Sequence, residues 1–132
     1  MNHGYYRYPT ISGDRIVFVC EDDLWSVPAK GGTAMRLSVS AGQCSTPRLS
    51  PDGRWIAYIA NDEGSPELYV MAAGGGPPQR LTFLGGSLAA VSTWSSDSAR
   101  IYFVSNVKAW YERETAGYSI GREEPLAALG LG

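Results

Sequence analysis

Three short stretches of this chain are apolar almost without a break: "RIVFVC" (residues 15–20), "WIAYIA" (55–60) and "RIYFVS" (100–105). A strand with one wet face alternates apolar and polar residues, whereas a continuous run of this length bounded by turns reads as a strand covered on both faces. The turns are present. Ser50-Pro51-Asp52-Gly53 precedes the middle run and Asn61-Asp62-Glu63-Gly64 follows it. Proline presets φ at the second turn position, aspartate bonds nearby backbone, and glycine takes positive φ without a Cβ clash. Around this run the pattern predicts further strands over 45–49 and 67–71 and another beginning over 80–83, with Gly74 to Pro78 as a turn. Glycine and proline interrupt nearly every window long enough for a helix, and no segment shows a helical period.

The same order of elements recurs. "PTISGDRIVFVC" (9–20), "PRLSPDGRWIAYIA" (47–60) and "STWSSDSARIYFVSN" (92–106) superpose, and "DLWSVPAKGGTAMRLS" (23–38) superposes on "ELYVMAAGGGPPQRLT" (67–82). Arg36-Leu37-Ser38 falls on Arg80-Leu81-Thr82. The third copy keeps Tyr118 where Trp25 and Tyr69 stand, but it reads Ser-Ser-Asp-Ser at the first turn, carries a long charged connection after Asn106, and has only Gly121-Arg122-Glu123-Glu124 where the others have a glycine turn. A period of roughly 40 to 45 residues is that of propeller blades, in which inner strands lie between neighbouring sheets. The prediction is an all-β chain forming a partial β-propeller of about three four-stranded antiparallel blades, over about 5–41, 42–86 and 87–132, the last degenerate. Trp55 is expected between stacked sheets. A three-blade chain leaves a sheet face uncovered at each end, beyond the few hundred Å² that soluble monomers tolerate, which predicts association.

Composition changes this picture little. The 132 residues suit one domain, and 44% hydrophobic content argues against disorder. A net charge of −2 gives no reason to expect nucleic acid or a membrane as partner. No apolar run approaches the roughly 18 residues of a spanning helix. "MNHGYYRYPTISGD" lacks the apolar core of a secretory signal, so a cytoplasmic location is expected. Cys20 and Cys44 do not make a disulfide framework and are expected as buried thiols.

Candidate chemistry is sparse. His3 is the single histidine and has no cysteine or histidine cluster around it, so neither a metal nor a cofactor is predicted. The serines lack a base, and no Gly-x-Ser-x-Gly elbow is present. Glu21-Asp22-Asp23 does not have calcium-loop spacing and reads as a solvated turn. The glycine runs precede strands and lack Lys-Ser/Thr, unlike a phosphate loop. Lys108, Trp110, Tyr111 and Arg113 are offset by Glu112 and Glu114 and read as a surface loop.

"SPDG" before a strand, an acidic-Leu-Trp/Tyr strand, and a glycine turn into Arg-Leu-Ser/Thr together resemble the Pro-Asp repeat of propellers in tricorn protease, the Tol-system periplasmic protein and prolyl-oligopeptidase relatives. Residues 4–38, "GYYRYPTISGDRIVFVCEDDLWSVPAKGGTAMRLS", resemble the start of the tricorn protease family, and the likeness extends over about 4–106. The resemblance implies a large cytosolic, serine-type, homo-oligomeric peptidase acting on short peptides released by the proteasome. Such a chain opens with a six-bladed propeller, continues with a seven-bladed one, and ends in a catalytic part with a PDZ-like module. This segment would supply three of the six blades. Its partners would be the rest of the parent chain and peptides passing the channel. None of the family's catalytic motifs aligns with these residues, so no catalysis is expected of this segment alone. Innermost blade strands face the axis, which makes Arg48 the candidate binding residue, lining the channel and attracting peptide carboxylates. The alternative is a Tol-type or other scaffold propeller holding a protein partner.

Overall fold

The computed structural model describes residues 6–38, 42–62, 64–82, 88–105 and 116–121, all in strands, turns and connections. Among the described residues, eleven strands form three antiparallel sheets. The first contains β1 (Arg7–Ser12), β2 (Arg15–Cys20), β3 (Asp23–Pro28) and β4 (Met35–Arg36) in chain order. The second repeats it with β5 (Cys44–Leu49), β6 (Trp55–Ala60), β7 (Glu67–Ala72) and β8 (Gln79–Arg80). Among the described residues the third has β9 (Leu88–Trp94), β10 (Arg100–Ser105) and β11 (Ala116–Gly121). This is the all-β, partial-propeller architecture that the repeat predicts.

Local chemistry sets the hairpins. Glu21 and Asp22 join β2 to β3 as a two-residue loop with φ of 52° and 71°. Positive φ at both central positions gives the twist that matches right-twisted strands. Between β5 and β6, Ser50 Oγ donates to Asp52 Oδ1 at 2.6 Å, and Asp52 Oδ1 also accepts from the Arg54 N–H. The turn before β10 is the same device: Ser95 Oγ donates to Asp97 Oδ1 at 2.6 Å, and the Ala99 N–H donates to that oxygen. Gly53 takes φ 74° and Ser98, in its place, φ 62°. The sequence departure at Ser95–Ser98 therefore leaves the turn intact.

The middle apolar run is covered on both faces. From β6, Ile56, Tyr58 and Ala60 pack with Val17, Val19 and Leu24 of the first sheet. Ala57 and Ile59, on the opposite face, pack with Val91, Trp94, Ile101 and Phe103 of the third. Full burial of such side chains contributes about 1.5–3 kcal/mol each, so the core lies between the sheets rather than within any one of them.

Five strand-level expectations are corrected. Strands β5 and β8 each begin one residue earlier than predicted, at Cys44 and Gln79, and β7 runs on to Ala72. The outer strand β8 is only two residues long, because the Thr82 hydroxyl takes the Leu68 N–H that another backbone carbonyl would otherwise accept. Trp55 is only half-buried, because it opens β6 at the sheet margin and packs on the rim of the apolar cluster between the second and third sheets.

Candidate functional site

The innermost strands β1, β5 and β9 lie side by side, one from each sheet. Each is broken by a register shift, between Arg7 and Thr10, between Ser45 and Arg48, and between Val91 and Thr93. Pro9 and Pro47 have no N–H for the ladder and fall inside the first two bulges, where proline is tolerated. Just before them, Tyr8 and Thr46 have φ of 55° and 45°. Such values are unfavourable for a β-branched residue, so this backbone is held by its surroundings. The holding contacts run between blades. The Leu49 N–H donates to Thr10 Oγ1 at 3.1 Å, the Val91 N–H to Thr46 Oγ1 at 3.3 Å, and Trp94 Nε1 to the Arg48 carbonyl at 2.8 Å.

Arg48 follows the second bulge. Its backbone is fixed by that indole contact while its side chain is exposed. At the equivalent positions stand Thr10 and Thr93. Among the three, the guanidinium is the sole charge, an exposed cation on the inner edge of the stack. An exposed guanidinium there can pair with a carboxylate in a bidentate fashion.

The remaining candidates are dispersed. Asp22 pairs with Arg7 at 3.8 Å and Asp23 with Arg36 at 3.8 Å, while Glu21 is exposed in the turn. Among the described residues no three His, Cys, Asp or Glu side chains are grouped to hold a metal. Cys20 and Cys44 are buried. His3 and the Lys108, Trp110, Tyr111 and Arg113 segment lie outside the described residues.

One arrangement was not anticipated from the sequence. Glu67, fully buried at the start of β7, accepts from Arg80 Nη2 at 3.2 Å, Thr82 Oγ1 at 2.6 Å and Ser65 Oγ at 3.2 Å. In the first sheet Asp23 meets Arg36 and accepts from Ser38 Oγ at 3.1 Å, and Ser38 Oγ accepts from the Leu24 N–H as Thr82 Oγ1 does from Leu68. The signal was an acidic residue followed at equal spacing by Arg-Leu-Ser/Thr in both copies. These clamps tie the outer strands together and stand away from the axial edge.

Residues 3–129 match the family model of the tricorn protease N-terminal beta propeller domain. The chain belongs to this family. Tricorn protease homolog 1 of Streptomyces coelicolor is 39% identical over 93 residues, which covers 70% of this chain and 9% of the relative. The crystal structure of the tricorn protease superposes with a TM-score of 0.76 at 26% identity, over 92% of this chain and 12% of that one. TolB from Acinetobacter baumannii superposes with a TM-score of 0.71 at 22% identity, over 89% of this chain and 30% of that one, a likeness of fold alone. The chain thus spans about a tenth of the length of these two tricorn relatives. Among the described residues no helix is long and apolar enough to cross a membrane.

Proposed function

We propose that this chain is the first part of the N-terminal propeller of a cytoplasmic, serine-type, tricorn-like peptidase that degrades short peptides downstream of the proteasome. In this reading the segment supplies three blades, over about 5–41, 42–86 and 87–132. It supports the parent chain and lines the passage of peptides without catalysis of its own. The observation that carries the reading is the family match over residues 3–129. The exposed Arg48 on the innermost strand gives it a chemical handle. The parent is a homo-oligomer, and its remaining blades, second propeller and catalytic part are this segment's partners. The Tol-type alternative has only the shared fold in its favour.

The test uses the full-length gene product with free-carboxylate and C-terminally amidated peptides. Reversing Arg48 with Arg48→Glu is expected to lower kcat/KM for the free-carboxylate peptides by about tenfold at low salt, and less at high salt, as electrostatic steering does. The amidated peptides should be hardly affected. An equal effect on both sets would remove Arg48 from the passage. A full-length product without peptidase activity would overturn the reading as a whole.

A further inference from the structure

Arg15 opens β2 as a half-buried guanidinium that has no carboxylate partner among the described residues. Its Nη1 donates to Ser26 Oγ and to the Ala73 carbonyl just beyond β7, both at 3.1 Å. Those two bonds occupy both Nη1 hydrogens. Nε and Nη2 are left as a side-on fork, the geometry that takes a carboxylate in a bidentate fashion. Ser26 is 6% exposed, and its oxygen accepts from Arg15, so its own O–H is left to donate.

The repeat is broken at this corner. By strand register, the positions of Arg15 and Ser26 are held in the second sheet by Trp55 and Val70, which pack in the apolar cluster against the third sheet. Two polar residues in contact replace two apolar ones. Beside them opens a pocket of about 280 Å³, bounded also by Asp14, Pro28, Thr33 and Met35. By register Arg15, Ser26, Pro28 and Met35 share the face of the first sheet that sets Val17 and Leu24 against the second, so neither end of the chain shapes the pocket. Its volume is just below that of sites for drug-sized ligands and suits a molecule of amino-acid size. Asp14 is exposed on its wall and, like Arg15, has no ion-pair partner among the described residues. Met35, 62% exposed, adds a flexible apolar surface that adapts to different side chains.

We propose that this pocket binds a free α-amino acid as its zwitterion. The Arg15 fork and the Ser26 hydroxyl take the carboxylate, Asp14 takes the ammonium group, and the side chain lies along Pro28 and Met35. A ligand with both charges accounts for a cation and an anion that line one pocket without pairing with each other. A simple anion would be drawn by Arg15 and repelled by Asp14. This inference does not depend on the peptidase reading.

The test is isothermal titration calorimetry on the full-length gene product with L-leucine, leucinamide and N-acetyl-leucine. Leucine should bind, and each blocked form should bind about threefold or more weakly, since each lacks one charge. Arg15→Gln should weaken leucine by about tenfold, as loss of a charge-assisted pair does, and leave leucinamide unchanged. Asp14→Asn should weaken leucine by about threefold, as loss of an exposed pair does, and leave N-acetyl-leucine unchanged. Asp14 is exposed, so its variant keeps the fold even where Arg15→Gln, which also releases the Ala73 carbonyl, does not. A wild type that does not bind leucine would overturn the proposal. So would leucine binding that Asp14→Asn leaves untouched, which would put the ligand elsewhere. N-acetyl-leucine bound as tightly as leucine would mean a plain anion site and would overturn it as well.

Discussion

At the scale of single residues, burial decides which polar groups matter. Tyr58 is buried and stacked on Tyr69 with ring centroids 5.8 Å apart. Burial first, then the neighbouring Cys44, Asp62 and Tyr69 groups, push its phenol far above the ordinary tyrosine value. In the unfolded chain this phenol releases its proton near pH 10, whereas in the fold it keeps it. Stability should therefore be unaffected by this group below about pH 10 and fall by about 1.4 kcal/mol per pH unit above it. Urea titrations between pH 8 and 11.5 should show that loss, and Tyr58→Phe should flatten it. An alkaline slope unchanged in Tyr58→Phe would mean that Tyr58 is not the group involved. The opposite sign holds at Asp97, whose carboxyl is held below its usual range by the Ser95 hydroxyl and the Ala99 N–H. The residue scale was only partly legible in the sequence. The Ser-x-Asp turns could be read because their chemistry is local. The half-burial of Trp55 could not, because strand edge and strand centre look alike in a single apolar run.

At the scale of elements, the repeated acid–Arg–hydroxyl clamp joins the third and fourth strands of two sheets at different depths. Glu67 is fully buried, with the Arg80 side chain 22% exposed, whereas Arg36, the partner of Asp23, is 51% exposed. Removing the partner of a buried charge leaves that charge uncompensated, so Arg80→Ala should cost about 3–5 kcal/mol. Arg36→Ala should cost no more than about 1 kcal/mol, as exposed pairs do. Chemical denaturation of the two variants checks the contrast, and equal losses would contradict it. The sequence displayed the residues of the clamp, because repetition draws attention to them. Their mutual contact was hidden, because it depends on how β7 and β8 pair. The bulges of β1 and β5 were marked by Pro9 and Pro47, yet a proline in a strand pattern also signals an edge, and only the pairing register separates the two.

At the scale of the whole molecule, the fold is a stack. The period of the repeat and the unbroken apolar runs were enough to read it, because a strand buried on both faces has no polar side to show. The axial edge was less legible: Arg48 was placed on the innermost strand by its position in the repeat, while the bulge and the Trp94 contact that fix its backbone appear only in three dimensions. The direct test of the stack is a paired comparison on β6 by equilibrium denaturation. Ile56→Asp puts a charge between the first and second sheets, and Ile59→Asp puts one between the second and third. Sheets covered on both faces predict that each variant loses more than about 3 kcal/mol, since each buries an unpaired charge. If either variant keeps its stability to within about 0.5 kcal/mol of wild type, that face of β6 is open to water and the stacked architecture is wrong.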